Sequence, residues 1–585
     1  MNPNDQPDYR RLFLAVFLAA LVLTGWQVLV EWPRRQALAS FHAEQAKDDA
    51  AKQVAYAKKI EAAPIEASEN PNLSRVERVA LAPRLTIASP RLHGSISLKG
   101  AKFDDLTLAN YHETIDPTSP EVVLFSPAGD AYSYLTQIGW VANDGKTKVP
   151  DASTIWQSDS KRLETMKPVT LSWNNGAGVI FKLTVTLDDA YMFTIKQSVE
   201  NRSASEINVV PYAYINRAHS EHAKNKNMIL HDGPMGVIEG GLKEIPYHEL
   251  TDNGNKSFDT SNGWFGITDK YWLAAIIPDA GTNFKTNYSY YQKNGIDRFQ
   301  VDYMGAAHVI PANGTASNDV RLFAGAKEIE ILDGYESGKR GGKAVPLFDR
   351  SVDFGMLYFL TKPLFLLLNF FYKLVGNFGV AIMLLTVVVK LCLFPLANAG
   401  YKSAAQMRRL QPQMTKLKET HGDDRINFQK EIMALYKQEK VNPASGCLPL
   451  LIQMPVFFAL YKVLFVTIEM RHAPFFGWIR DLSFMDTSNL FTLFGLAPWA
   501  TPPFLHLGIL PIIMTATMVI QMSQQPTPAD PVQAKVIKFM PYLFLFMFAS
   551  FPAGLVLYWI CSNTLSIIQQ YFIAKKHGGP VKKAK

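Results

Sequence analysis

Residues 375–395 read VGNFGVAIMLLTVVVKLCLFP, an apolar run broken by one charge, Lys390. A helix needs about 20 mostly apolar residues to cross the hydrocarbon core of a bilayer, so this run is a candidate membrane span. Four runs of similar character follow: 448–468 (LPLLIQMPVFFALYKVLFVTI), 507–521, 536–551 and 553–574. The last two are parted only by Phe551-Pro552-Ala553-Gly554, which leaves room for a tight turn. A sixth run, 12–30 (LFLAVFLAALVLTGWQVLV), carries no charge over a helical length of roughly 28 Å. Arg10 and Arg11 precede it, and Glu31-Trp32-Pro33-Arg34-Arg35 follows, without the small residues of a signal-peptidase site. It reads as a retained anchor. By contrast, 354–373 (FGMLYFLTKPLFLLLNFFYK) is interrupted by Lys362, Pro363, Asn369 and Lys373, a pattern for an amphipathic helix lying in the interface.

At 48% apolar and 19% charged residues the chain is not disordered, and its 585 residues suffice for more than one domain. Mean hydropathy is close to zero only because two unlike parts are averaged. Residues 31–350 hold 35 Lys and Arg against 39 Asp and Glu, whereas 351–585 hold 22 against 10 although they are the more apolar. The net charge of +8 therefore belongs to the C-terminal part, which removes the main support for a nucleic-acid-binding chain. Within it, 396–447 has nine basic residues and the tail 575–585 has five with no acid, while 469–506 has only Arg471 and Arg480. The positive-inside rule then predicts six spans, with both termini, 396–447 and 522–535 in the cytoplasm. The region between the first run and 354 then falls on the periplasmic side of a bacterial inner membrane.

That region opens with a tether, 31–78, rich in Ala, Glu, Lys and Gln and then in Pro, Asn and Ser. From 79 to 345 the pattern changes to short alternating runs such as LTIAS, SISLKG, GVIFKLTVTL and MFTIKQSVE, with turn signals such as Asn174-Asn175-Gly176. One large β-sandwich is predicted. Its candidate chemistry is sparse. His219, Glu221 and His222, and the pair His248-Glu249, lack the HExxH spacing that puts two imidazoles on one helical face, and no phosphate loop or GxSxG elbow occurs. Cys392, Cys447 and Cys561 have no metal-ligand spacing and read as buried small side chains.

Two features of the C-terminal part point to function. In 396–447, Met407, Leu410, Met414 and Leu417 are spaced 3, 4, 3, and Phe428, Ile432 and Leu435 resume the spacing beyond a His421-Gly422-Asp423-Asp424 break. Two antiparallel helices with basic outer faces are expected, either simply solvated or docking cytoplasmic partners. Lys390 is the second feature. A charge this deep costs roughly 2.5–3.5 kcal/mol on insertion scales, and no Asp or Glu lies within the six runs to pair with it. It either faces a hydrated pocket open to the cytoplasm or snorkels to the inner interface. Lys462 lies nearer the outer surface, where snorkelling is expected.

The segments NPASGCLPLLIQMPVFFALY (442–461), the Gly-Asp-Asp turn at 422–424 and FPAGLVLYWICSN (551–563) resemble the YidC/Oxa/Alb membrane insertase family. The resemblance implies an order of parts. An anchor (1–30), tether (31–78) and periplasmic β-sandwich (79–345), similar to sugar mutarotases but without their activity, precede an interfacial helix (354–373). A five-helix core (375–575) carrying the hairpin (396–447) and a basic tail (576–585) complete it. It also implies a groove, hydrophilic within and closed towards the periplasm, whose usual Arg is here Lys390, keeping the charge but losing the guanidinium fork. Substrate-contacting positions would fall on Thr386, Met454, Phe457, Met547 and Trp559. The implied function is insertion, folding and assembly of nascent membrane proteins, without enzymatic activity or cofactor, alone or beside the Sec translocon. Arg408 and Arg409 on the hairpin, with the tail, would dock ribosomes and targeting factors. A secondary transporter would instead show internal hydropathy symmetry and ionisable residues near the midplane. An anchored periplasmic binding protein would carry its function in the β-domain.

Overall fold

A computed structural model of the chain describes residues 73–130, 132–218, 230–279, 281, 283–420, 424–439, 441, 448–495, 507–525 and 531–577. The anchor, nearly all of the tether, His219 to His222, residues 421–423 and 442–447, and the end of the tail lie outside the described residues.

Alternation in the sequence becomes two stacked sheets of eleven and nine described strands. In Val179–Leu187 every second residue, from Val179 through Phe181, Leu183 and Val185 to Leu187, is buried, as a strand with one face on a core requires. The larger sheet runs, side by side, through Phe284–Lys293, Ile296–Met304, Ile207–Ala218, Tyr134–Ala142, Lys102–His112 and Leu92–Ser97. The smaller runs through Gly263–Thr268, Trp272–Pro278, Thr315–Ala326, Met192–Asn201, Val179–Leu187 and Val169–Asn174. Edge-to-face rings lock the two together: Phe103 of the larger on Phe193 of the smaller at 5.3 Å, and Trp140 on Phe181 at 5.2 Å. The Asn-Asn-Gly turn joins Val169–Asn174 to Val179–Leu187, with Gly176 at φ +78° and its N–H donating to the Asn174 side chain at 2.9 Å.

Ten helices, α1 to α10, occur among the described residues. In the β-domain they are α1 (Arg75–Val79), α2 (Tyr247–Asn253) and α3 (Ile329–Glu336). Beyond it come α4 (Tyr358–Val375), α5 (Phe378–Thr420), α6 (Arg425–Gln438), α7 (Leu448–Val466), α8 (Ile509–Ser523), α9 (Pro531–Ala549) and α10 (Ala553–His577). By length and composition two of these, α4 and α5, are long and apolar enough to cross a membrane. The Phe-Pro-Ala-Gly stretch does form the tight turn between α9 and α10. It is held by a periplasmic-side loop in the expected topology: Ala553 N–H donates to Phe484 O at 2.7 Å and Gly554 N–H to Leu482 O at 2.9 Å.

Three local expectations are corrected. Cys392 is exposed and Cys561 half-buried rather than buried, while Cys447 lies outside the described residues. The span at 375–395 and the first hairpin helix are one helix of 43 residues, continuous through Pro395 and Pro412. Proline removes one ladder bond, but the following Leu396-Ala397-Asn398-Ala399 favours helix strongly enough to carry it on. Lys462 does not snorkel. Its ammonium lies 2.8 Å from Asp353, which also accepts the His231 N–H at 3.1 Å, so the residue ties α7 to the chain leaving the β-domain.

The apolar core is continuous from the sandwich through α4 into the helices. On α4, Leu364, Phe365 and Leu368 are buried against this core, Lys362 and Lys373 turn to acids of α3, and Phe359, Leu366 and Phe370 stay exposed. At Gly379 on α5 a Cβ would come within 2.0 Å of the Phe475 ring, so a larger residue would push the 473–482 loop off the helix.

Candidate functional site

Inside the helical part, polar side chains gather on one face of α10. Tyr558, Ser562, Ser566 and Gln570 recur every fourth residue and are all nearly fully buried. Lys390 of α5 reaches this face: its ammonium donates to Ser566 Oγ at 3.0 Å and to Gln453 Oε1 of α7 at 3.3 Å. Gln453 Nε2 in turn donates to the Tyr558 hydroxyl, which is also bonded to Ser562. Asn563 donates to Thr517 of α8 at 3.2 Å. No carboxylate pairs with Lys390 among the described residues. Both amide atoms of Gln570, the Gln569 nitrogen and the Trp559 indole N–H are buried without a partner, a concentration of unmet polar groups that an all-apolar bundle would not tolerate.

Beside the polar face stands an aromatic cluster. Trp559 meets Phe457 of α7 at 5.5 Å and Phe548 and Phe544 of α9 at 5.4 and 6.4 Å, all edge-on. Met454 and Met547, on the same helices as Phe457 and Phe548, are 42% and 40% exposed, so flexible apolar side chains remain free to be covered. The structure thus brings Phe457 and Trp559 into contact and leaves Met454 and Met547 on open surface. Thr386 is different: it has no exposed surface, and its hydroxyl donates to the Ile382 carbonyl at 2.7 Å. Sequence reasoning found Lys390 but missed Gln453, Tyr558 and Ser566. The i, i+4, i+8 run of Tyr558, Ser562 and Ser566 in an apolar segment was the available signal.

In the hairpin, Asp424 caps α6 through bonds from Ile426 N and Asn427 N, each 3.1 Å. Met407 and Leu410 pack with Val441, Leu435 and Tyr436, whose hydroxyl donates to Met414 Sδ at 3.5 Å. Helices α5 and α6 therefore run antiparallel, with Arg408 exposed and Arg409 half-buried on the outer side.

A second titratable cluster lies where the β-domain meets the helices. Carboxylate oxygens of Asp333, Glu336 and Asp349 converge within 4.8 Å, but the Lys362 ammonium already lies 2.8 and 2.6 Å from Asp333 and Asp349 and supplies the positive charge a metal would bring. Burial, with Asp349 beside it, pushes Glu336 up to about 7. Glu469, just past α7, is half-buried against α3: its Oε1 accepts the Ile329 N–H at 3.1 Å, its Oε2 is shielded without a partner, and desolvation pushes it up to about 7.

Residues 84–367 match the family model described as the YidC periplasmic domain, and 370–579 the one described as 60Kd inner membrane protein. The membrane protein insertase YidC of Rickettsia bellii is 47% identical over 565 residues, 96% of this chain and 98% of that protein. Its counterpart in Rickettsia rickettsii is 46% identical with the same coverage. A crystal structure described as an active YidC insertase with its first transmembrane domain resolved aligns over 84% of this chain and 95% of that one, at 18% identity and a TM-score of 0.35.

Proposed function

Given that the chain belongs to the YidC family of membrane protein insertases, we propose that it inserts nascent membrane proteins into the inner membrane through the polar face around Lys390. The single observation that carries this reading is a charge held deep among apolar helices by Gln453 and Ser566, with no counter-ion among the described residues. An ammonium held only by neutral partners is stable at such depth when water reaches it. Such a hydrated groove shortens the low-dielectric path that a substrate's polar segment must cross, since every unpaired backbone group in hydrocarbon costs several kcal/mol. The substrate's apolar segment then leaves along Met454, Phe457, Met547 and Trp559, whose adaptable Met and broad aromatic surfaces suit many sequences. Thr386, buried within the packing, would line that path once α5 and α10 part. Six spans, cytoplasmic termini and a periplasmic β-domain complete the proposed topology. Work alone or beside the Sec translocon, and docking of ribosomes and targeting factors on Arg408, Arg409 and the tail, extend the same reading to partners.

The test is substitution at Lys390 in the full chain, assayed by insertion of a small single-span substrate into proteoliposomes. Lys390→Arg keeps the charge and is expected to insert at near the wild-type rate, whereas Lys390→Leu removes it, dries the site and abolishes insertion. In a chain whose other cysteines are replaced, Lys390→Cys should react with a thiol reagent confined to the cytoplasmic side. Wild-type insertion by the Leu variant, or no labelling at 390, refutes the groove.

A further inference from the structure

We infer that Gln453 is the positioning residue of this site: its side-chain amide fixes the direction in which the Lys390 ammonium points. The inference rests on the groove reading and adds to it a residue that acts through another. An ammonium has three equivalent donors on a flexible four-carbon stem, so its direction is set by its acceptors; a guanidinium carries its geometry in its own plane. Here the acceptors are two, Gln453 Oε1 at 3.3 Å and Ser566 Oγ at 3.0 Å, on different helices. With those two donors engaged, the third is left to the groove.

The amide can perform this task only in one orientation. Its oxygen must face Lys390, because an ammonium cannot accept, and so its nitrogen must face an acceptor on the other side. Tyr558 supplies it: the hydroxyl oxygen accepts from Gln453 Nε2 and is itself bonded to Ser562. The order Tyr558, Gln453, Lys390, Ser566 begins and ends on α10 and passes through α7 and α5, so a chain of three hydrogen bonds ties the ammonium to both neighbouring helices. Tyr558 is 2% exposed, so the oxygen that orients the amide is itself shielded from solvent. A residue of the same length without the amide, such as Met, fills the space and leaves the ammonium with Ser566 alone.

A double-mutant cycle tests this with the full chain in proteoliposomes. Gln453→Met is made in the Lys390 protein and in the Lys390→Arg background, and insertion of the same single-span substrate is measured for each. The expected result is a loss of about tenfold with Lys390 and less than about twofold with Lys390→Arg, since the rigid fork no longer depends on the amide for its direction. Tyr558→Phe, which removes only the oxygen that orients the amide, should show the same pattern with a smaller loss, and it stands as the second variant where Gln453→Met does not accumulate. Equal losses in the two backgrounds would make Gln453 a packing residue and overturn the inference, as would wild-type insertion by both single variants. Failure of the groove reading has a separate signature: Lys390→Leu inserting at the wild-type rate refutes it, and the positioning role with it, whereas additive losses alongside an inactive Leu variant refute the positioning role alone.

Discussion

Replacing Glu469 by Gln should stabilise the protein at pH 8 and leave it nearly unchanged at pH 5. Glu469 is half-buried with its Oε2 shut off from solvent; it holds the Ile329 N–H with one oxygen and nothing with the other, and has Glu328 and Glu330 nearby. Glu328 is committed to Arg91 at 2.8 Å and Glu330 to Lys373, so neither cation is free for Glu469. Burial outweighs the favourable end of α3 and raises its affinity for a proton to about 7, against an ordinary value of 4.5. Because the folded protein holds this proton more tightly than the unfolded chain, stability is full below 4.5, falls as pH rises, and reaches its lower level above about 7. At about 1.4 kcal/mol per pH unit the gap amounts to roughly 3 kcal/mol. Gln is neutral throughout and escapes the loss. Thermal unfolding of the full chain in detergent, followed by tryptophan fluorescence between pH 5 and 8, should therefore give curves that diverge with rising pH. The Gln variant should gain about 6 °C at pH 8, taking ~2 °C per kcal/mol for a large domain. Parallel curves, with a constant difference across the range, would refute the argument that this carboxyl is desolvated at the junction.

Three further outcomes are expected. Lys462→Met leaves the Asp353 carboxylate, 15% exposed, with the backbone N–H groups of His231 and Gly355 and no cation; a loss of about 2 kcal/mol should appear as faster proteolysis between β-domain and helices, and an unchanged rate would show the pair to be passive. Arg408→Glu with Arg409→Glu should weaken ribosome co-sedimentation at low salt without changing the helical content, because attraction of a basic face to polyanions is screened by salt; co-sedimentation that does not change leaves the hairpin merely solvated. Photo-crosslinkers at Met454, Phe457, Met547 and Trp559 should capture a stalled nascent span while one at the exposed Ile520 of α8 should not, and capture of lipid alone at all four would remove the proposed exit path.

Period-two alternation made the sandwich readable, since Val179–Leu187 must place every second side chain on the core whatever the rest of the chain does. Lys390 was readable for the opposite reason: a charge in an apolar run is conspicuous without any structure. Its partners were not. Gln453, Tyr558 and Ser566 are individually unremarkable in apolar segments, and only the packing of α5, α7 and α10 makes them one chain of bonds. The counter-charge on Lys462 was hidden because Asp353 lies 109 residues away in sequence and outside any apolar run. Pro395 misled in the other direction, as the residues after it restored the helix that proline weakened.

The unbroken course of α5 has a kinematic consequence. From Lys390 to Thr420 is about 45 Å of one rod at ~1.5 Å per residue, with the ladder weakened at Pro395, five residues beyond the ammonium. A swing of about 5° at that joint carries the far tip through ~3 Å, the width of one hydrogen bond. The hairpin and the charge thus lie on either side of one weakened joint, so the tip can travel while the packed end of the same helix keeps its place.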